Sequence, residues 1–210
     1  MTIDNIVEKY RPKQVEQAIP LEIIGDSAFT RALLRRCTEW NVPYLIRKHP
    51  SCEIGPVVVD REVSTDTVLR LRDIDTGIYK LSACAESVAT LCGDTMSGQV
   101  VTIVGRGPSV YGLADYMIKE GATVCVCTRF TPQEERDELI RIADILVDTR
   151  DGVIVKTENR VFSNSEVGRL TCAILANRAV LWRERISNVW TTYEVAKYLS
   201  WRVDGVLTDG

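Results

Sequence analysis

The 210-residue chain is 45% apolar and 26% charged, the balance of an ordinary globular protein with one large core or two small ones. Its 26 basic and 29 acidic residues, net charge −3, give no electrostatic reason to bind nucleic acid. No run of about 18 apolar residues offers a membrane span, and Met1 to Pro12 carries acids where an export signal needs a basic end, so a soluble, cytoplasmic protein is expected.

Met1 to Ala18 reads as a polar arm or first helix. Leu21 to Ile24 predicts a short apolar strand, and Gly25-Asp26-Ser27 a turn whose serine caps a helix running to about Trp40. Asn41-Val42-Pro43 closes that helix, "YLIR" opens a second strand, and "PVVVD" is a third, buried by its lack of alternation. After the connection "VLRLRDIDTGIYK", "SACAESVATLCGDTM" has helical spacing and leads into Ser97-Gly98. Val100 to Val104 predicts a strand covered on both faces, followed by a glycine-bearing turn, a helix and a strand ending "CVCTRFT". A helix over Gln133 to Ala143, a strand over Asp144 to Val147, a hairpin across "DTRDGVIVKTENRVFS" and a long helix from about Val167 to Arg185 complete the pattern. The tail sets Trp190, Tyr193, Tyr198 and Trp201 on an amphipathic helix, either core or a dimer contact.

Seven cysteines without CxxC spacing, in a chain with no export signal, read as reduced thiols acting as small core residues. With His49 the only histidine, no metal site is expected.

The chemistry concentrates in "VVTIVGRGPSVYGLADYMIKEGATVCVCTRFT". Gly105, Gly107 and Gly112 lie where a strand feeds a helix, and missing side chains there let backbone approach a pyrophosphate at the helix N-terminus. The spacing is GxGxxxxG, so tight packing is an alternative use of the same glycines. Gly105, Arg106, Gly107, Pro108, Ser109 and Val110 are the candidate cofactor residues of the turn, joined by Thr128 and Arg129 from the next strand end. That strand end offers no carboxylate for a ribose 2′-hydroxyl, whereas Arg129, with Arg106 in the turn, suits a 2′-phosphate. NADP is expected in preference to NAD; the alternative for both arginines is simple solvation.

The run from Ser97 to Val147 resembles the cofactor domain of the methylenetetrahydrofolate dehydrogenase/cyclohydrolase (FolD-type) family. Gly98, Gly105, Arg106, Gly121-Ala122-Thr123-Val124, Thr131 and Ala143-Asp144-Ile145 match its pattern. "SEVGRLTCAILANRAV" is similar to the family's closing helix, sharing Val167, Gly168, Thr171, Ala173, Leu175 and Asn177, while "RDIDTG", "CAESVATL" and "GDSAFTRALLRRCTEWNV" resemble further segments. The resemblance implies an α/β fold of two lobes: an N-terminal α/β lobe for folate and catalysis over 1–80, and a Rossmann-like parallel-sheet NAD(P)-binding lobe over 81–165. Long helices join them, and over 166–210 a C-terminal helix returns to the first lobe ahead of the aromatic tail. It further implies a homodimer acting on a small folate-like substrate.

Several family features are changed. The alignment puts Phe29 at the family's tyrosine and Leu33 at its lysine, which together serve the cyclohydrolase step; leucine can neither donate nor titrate. Asp75 matches the second aspartate of the D-V-D-G turn and, with Phe29, is the candidate substrate contact; the alternative for Asp75 is a solvated turn carboxylate. "DREVS" replaces Q-L-P-L-P, "SNSE" replaces P-G-G before the last helix, and length is missing between "ADILV" and that helix. Two functions follow: an NADP-dependent oxidoreductase of one-carbon folate metabolism that has lost the cyclohydrolase activity, or a catalytically degenerate relative serving as a ligand-binding or scaffold protein.

Overall fold

In the computed structural model, residues 2–16, 18–48, 57–59, 83–93, 96–106 and 108–181 are described. The chain divides into two compact units. Among the described residues, the first comprises those up to Ala83 and those from Arg169 onward, and the second comprises Cys84–Gly168.

The first unit holds a three-stranded parallel sheet in the order β2-β1-β3, formed by β1 (Leu21–Ile24), β2 (Tyr44–Arg47) and β3 (Val57–Val59). The central strand β1 is buried at every position, including Glu22, which is only 3% exposed. Helix α2 (Ala28–Glu39) starts at Ser27, whose hydroxyl accepts from the Phe29 and Thr30 amides at 3.1 and 3.2 Å. It stops in a left-handed cap: Asn41 has φ +55°, its amide donates to Thr38 O, and the Val42 amide reaches back to Cys37 O at 2.9 Å. Thr30, Leu33 and Cys37 form its buried face.

Helix α1 (Ile3–Glu8) buries Ile3, Ile6 and Val7. It is tied to the last helix by an ion pair between Asp4 and Arg169, and just beyond its end Asn177 Nδ2 donates to Tyr10 O at 2.7 Å. The polar-looking N-terminal segment is thus a helix with one apolar face.

In the second unit, a helix α3 over 83–92 precedes a five-stranded sheet in the order β5-β4-β6-β7-β8. Strands β4 (Val100–Val104), β5 (Thr123–Cys127) and β6 (Ile145–Asp148) are parallel; β7 (Ile154–Lys156) and β8 (Val161–Phe162) continue the sheet antiparallel. Helices α4 (Pro108–Lys119) and α5 (Gln133–Arg141) make the crossovers. A parallel return needs a dozen or more residues, and the link between β6 and β7 is only residues 149–153, so the chain turns back antiparallel. Val147, Val155 and Phe162 are buried across that part of the sheet. Asp144, one of the family-like residues, plays a structural part here. Its carboxylate accepts from the Val100 amide at 2.8 Å and its own amide donates to Val100 O at 2.9 Å, fixing the start of β4 against β6.

Helix α6 (Asn164–Val180) begins three residues before the expected Val167; the expected end near Arg185 lies outside the described residues. The earlier start comes from "SNSE", which forms a capping box: the Ser163 amide and hydroxyl donate to the Glu166 carboxylate at 2.9 and 3.1 Å, and Arg160 pairs with it at 2.7 Å. The Ser163 amide, then its hydroxyl and Arg160, hold the Glu166 carboxyl below the usual carboxylate range. A depressed pKa contributes stability above the unfolded value, near 4.3, that is lost as pH falls through the folded one. Glu166→Gln is therefore expected to lower stability by about 0.5–1 kcal/mol at neutral pH, and by less in urea titrations at about pH 3.5. An equal deficit at both pH values would remove charge from the account.

No helix among the described residues is long and apolar enough to cross a membrane. Of the described cysteines, Cys37, Cys127 and Cys172 are buried as expected, whereas Cys84, Cys92 and Cys125 are only partly so. Burial pushes the Cys37 and Cys92 thiols up to about 12, keeping both protonated at neutral pH.

Candidate functional site

The chain runs from β4 to β5 on one side and then crosses to β6 on the other, so the strand order reverses at β4. In open α/β sheets ligands bind at such a reversal, outside the carboxyl ends of the strands. Three segments meet there: the β4–α4 turn with Gly105 and Arg106, the β5 end with Thr128 and Arg129, and the β6 end with Thr149 and Arg150.

The β4 segment carries an exposed Arg106, which has no hydrogen-bond or ion-pair partner among the described residues, and passes into α4 at Pro108. Proline at the first helical position forfeits an amide that has no helical partner anyway. No acid occupies the first turn of α4, so its positive end is uncompensated from within. Val110 is buried against the sheet; Pro108 and Ser109 belong to the helix start, while Gly107 and Asp75 lie outside the described residues.

Gly105 serves a purpose that its motif did not reveal. A side-chain carbon there would stand 1.9 Å from Thr149 Oγ1 and 3.1 Å from Val110 Cγ2. Its amide continues the ladder to Cys127 O at 3.0 Å. The missing side chain admits Thr149, whose amide and hydroxyl both donate to Val104 O, at 2.8 and 3.2 Å. The packing alternative therefore accounts for this glycine without any ligand.

The β5 segment is held by four side-chain hydrogen bonds. The Thr128 amide donates to Thr131 Oγ1 at 3.0 Å, the Phe130 amide to Thr128 Oγ1 at 3.2 Å, and Arg136 Nη2 to the carbonyls of both threonines at 3.1 Å. Thr128 is thus a loop-former. Between these anchored threonines stand Arg129, exposed with its guanidinium 4.7 Å from the Phe130 ring centre, and Phe130 itself, 79% exposed. Val104 pairs with Cys127, so Arg106 and Arg129 each lie two residues past paired neighbours on adjacent strands. Sequence reasoning named Arg129 and passed over Phe130, whose signal was an aromatic residue in a strand-end loop.

The β6 segment is closed upon itself. Arg150 gives its amide and guanidinium to the Asp148 carboxylate, with Nη2 at 2.6 Å, and these hydrogen bonds, chiefly the side-chain ones, hold the Asp148 carboxyl below its ordinary range. The Val153 amide donates to Asn164 Oδ1 at 2.8 Å. Gly152, at φ +104°, lies so close to the Asn164 amide group that a side chain would meet it at 2.6 Å.

In the first unit, Phe29 is half-buried and Leu33 fully buried on α2. Leu33 is a core residue, one helical turn from Phe29 and four residues before the equally buried Cys37. Glu22 and Arg178 are buried charged residues that sequence reasoning did not single out. No group of three or more His, Cys, Asp or Glu capable of holding a metal ion occurs among the described residues.

These features define an α/β protein of two units, the second a mainly parallel sheet with helical crossovers and a reversal of strand order at β4. No family model and no curated protein matches the sequence. Solved structures do match in fold. The N5,N10-methylenetetrahydrofolate dehydrogenase-cyclohydrolase (FolD) of Trypanosoma brucei, complexed with NADP cofactor and inhibitor, superposes with a TM-score of 0.60 at 13% identity, over 86% of this chain and 95% of that one. The bifunctional FolD methylenetetrahydrofolate dehydrogenase/cyclohydrolase of Campylobacter jejuni gives 0.59 at 14% identity, over 85% and 94%. At such identity the likeness is one of fold.

Tested against NADP, the donors divide. Arg106, Arg129, Phe130 and the start of α4 suit a phosphorylated adenosine: two cations, an exposed aromatic ring and a helix N-terminus at adjacent strand ends. The β6 loop, by contrast, spends the Thr149, Arg150 and Val153 amides inward.

Proposed function

We propose that this protein binds a 2′-phosphorylated adenine nucleotide, NADP in preference to NAD, on the carboxyl edge of β4 and β5, and that the cyclohydrolase step is absent from it. The observation that carries this reading is Arg129, held at the tip of a loop fixed by Thr128, Thr131 and Arg136, beside an exposed phenylalanine and a strand away from Arg106. A guanidinium matches a phosphate dianion in shape and charge, and no acid stands at this strand end to take a ribose 2′-hydroxyl.

A second reading is favoured by the fold likeness: an NADP-dependent oxidoreductase of the methylenetetrahydrofolate dehydrogenase type, acting on a folate-like one-carbon carrier. NADP would supply the hydride chemistry, and the protein's part would be to orient two rings. Hydride transfer itself moves no proton, so this reading does not require a lysine in place of the buried Leu33.

Two measurements test these readings. Arg129→Ala is expected to weaken NADP binding about 10- to 100-fold by calorimetry and to change NAD binding by less than about twofold. Because Arg129 is exposed, the melting temperature without ligand should hardly move. Equal losses for both nucleotides would sink the 2′-phosphate assignment. Methylenetetrahydrofolate-dependent reduction of NADP by the wild-type protein, followed by absorbance, would establish the oxidoreductase reading; binding without turnover would leave the first.

A further inference from the structure

A dinucleotide fold is assembled from two β-α-β-α-β runs, one on each side of the reversal in strand order, with one nucleotide held by each and the ligand laid across the reversal. Here β4 and β5 stand on the first side, and of the described parallel strands of this sheet β6 alone stands on the second. After β6, residues 149–163 form a five-residue loop and the β7–β8 hairpin, and then α6 begins. Antiparallel β7 directs its carboxyl end to the opposite edge of the sheet from β4, β5 and β6.

The β6 end, where the second nucleotide would have to lie, has been turned inward as well. Thr149 fills the space over Gly105 and donates twice to Val104 O. Arg150 is clasped by Asp148, and the Asn164 side chain closes on Gly152 and the Val153 amide. Each of these groups gains a partner inside the protein, and a ligand would have to break those bonds to use them.

We infer that this edge grips one nucleotide only: its ligand class is the 2′-phosphorylated adenosine mononucleotide, and the second nucleotide of a dinucleotide adds nothing to affinity. The inference rests on the nucleotide reading above. The first nucleotide's groups are Arg106, Arg129, the exposed Phe130 ring and the amino end of α4. The hairpin occupies the stretch of chain that a second clasp would need.

Calorimetric titration of the unmodified full chain with NADP, adenosine 2′,5′-bisphosphate and nicotinamide mononucleotide tests this. Expected are dissociation constants for NADP and the bisphosphate within about fivefold of each other, with no measurable heat from nicotinamide mononucleotide. NADP binding tighter than the bisphosphate by more than that margin would overturn the single-nucleotide inference and leave the nucleotide reading standing. Failure of both NADP and the bisphosphate to bind would overturn the two together.

Discussion

Leu33→Lys is expected to cost about 4 kcal/mol or more in urea denaturation and to leave little cooperatively folded protein. Leu33 is fully buried, on the face of α2 that also carries Thr30 and Cys37, both with no exposure. Lysine there loses the leucine packing and must either leave its ammonium in an apolar core or give up its proton. Leu33→Ala should lose about 3 kcal/mol through the cavity alone, and Leu33→Met less than about 1.5 kcal/mol because volume is conserved. The ordering Met, Ala, Lys is the signature of a packing position. It bears on function because the resemblance in sequence would place Leu33 where the family carries the lysine of its cyclohydrolase step. A stable Leu33→Lys protein that hydrolysed a methenyl folate would show instead that the position reaches a substrate.

Where the fold was legible, a local chemical signal had a local structural consequence. β1 over Leu21–Ile24, the Ser27 cap and the stop at Asn41 each follow from the turn chemistry of a few adjacent residues. Strand β4 is marked by continuous β-branched residues, as a strand in the middle of a sheet is, and β5 carries a similar run although it lies at the sheet edge and is only partly buried. The start of α6 is set by Ser163 and Glu166 at capping-box spacing, a local signal within "SNSE" that the comparison with the family's P-G-G turn hides. The roles of Gly105 and Thr149 were not legible. They lie 44 positions apart, and only the pairing of β4 with β6 brings the threonine onto the glycine. A glycine in a β-α turn carries the same letter whether it makes room for a ligand or for a neighbouring strand.

That ambiguity can be resolved by giving the glycine a side chain. Gly105→Ala is expected to lose about 3 kcal/mol, because its new carbon would stand 1.9 Å from Thr149 Oγ1 and 3.2 Å from Thr149 Cβ, so that the threonine hydroxyl must give up its bond to Val104 O and its stiff side chain and backbone must shift. Thr149→Ala alone removes one long hydrogen bond and should lose less than about 1 kcal/mol. If close packing is what requires the glycine, the double variant Gly105→Ala/Thr149→Ala will be more stable than Gly105→Ala by about 1.5 kcal/mol, a coupling that independent sites do not show. Additive losses would mean that Thr149 is not what the glycine accommodates. Nucleotide binding by the double variant then separates the two uses of Gly105. Retained NADP affinity in a folded protein makes this glycine a packing residue and leaves the phosphate to Arg106, Arg129 and the start of α4. Lost affinity in the same folded protein makes the bare backbone at Gly105 part of the nucleotide's seat.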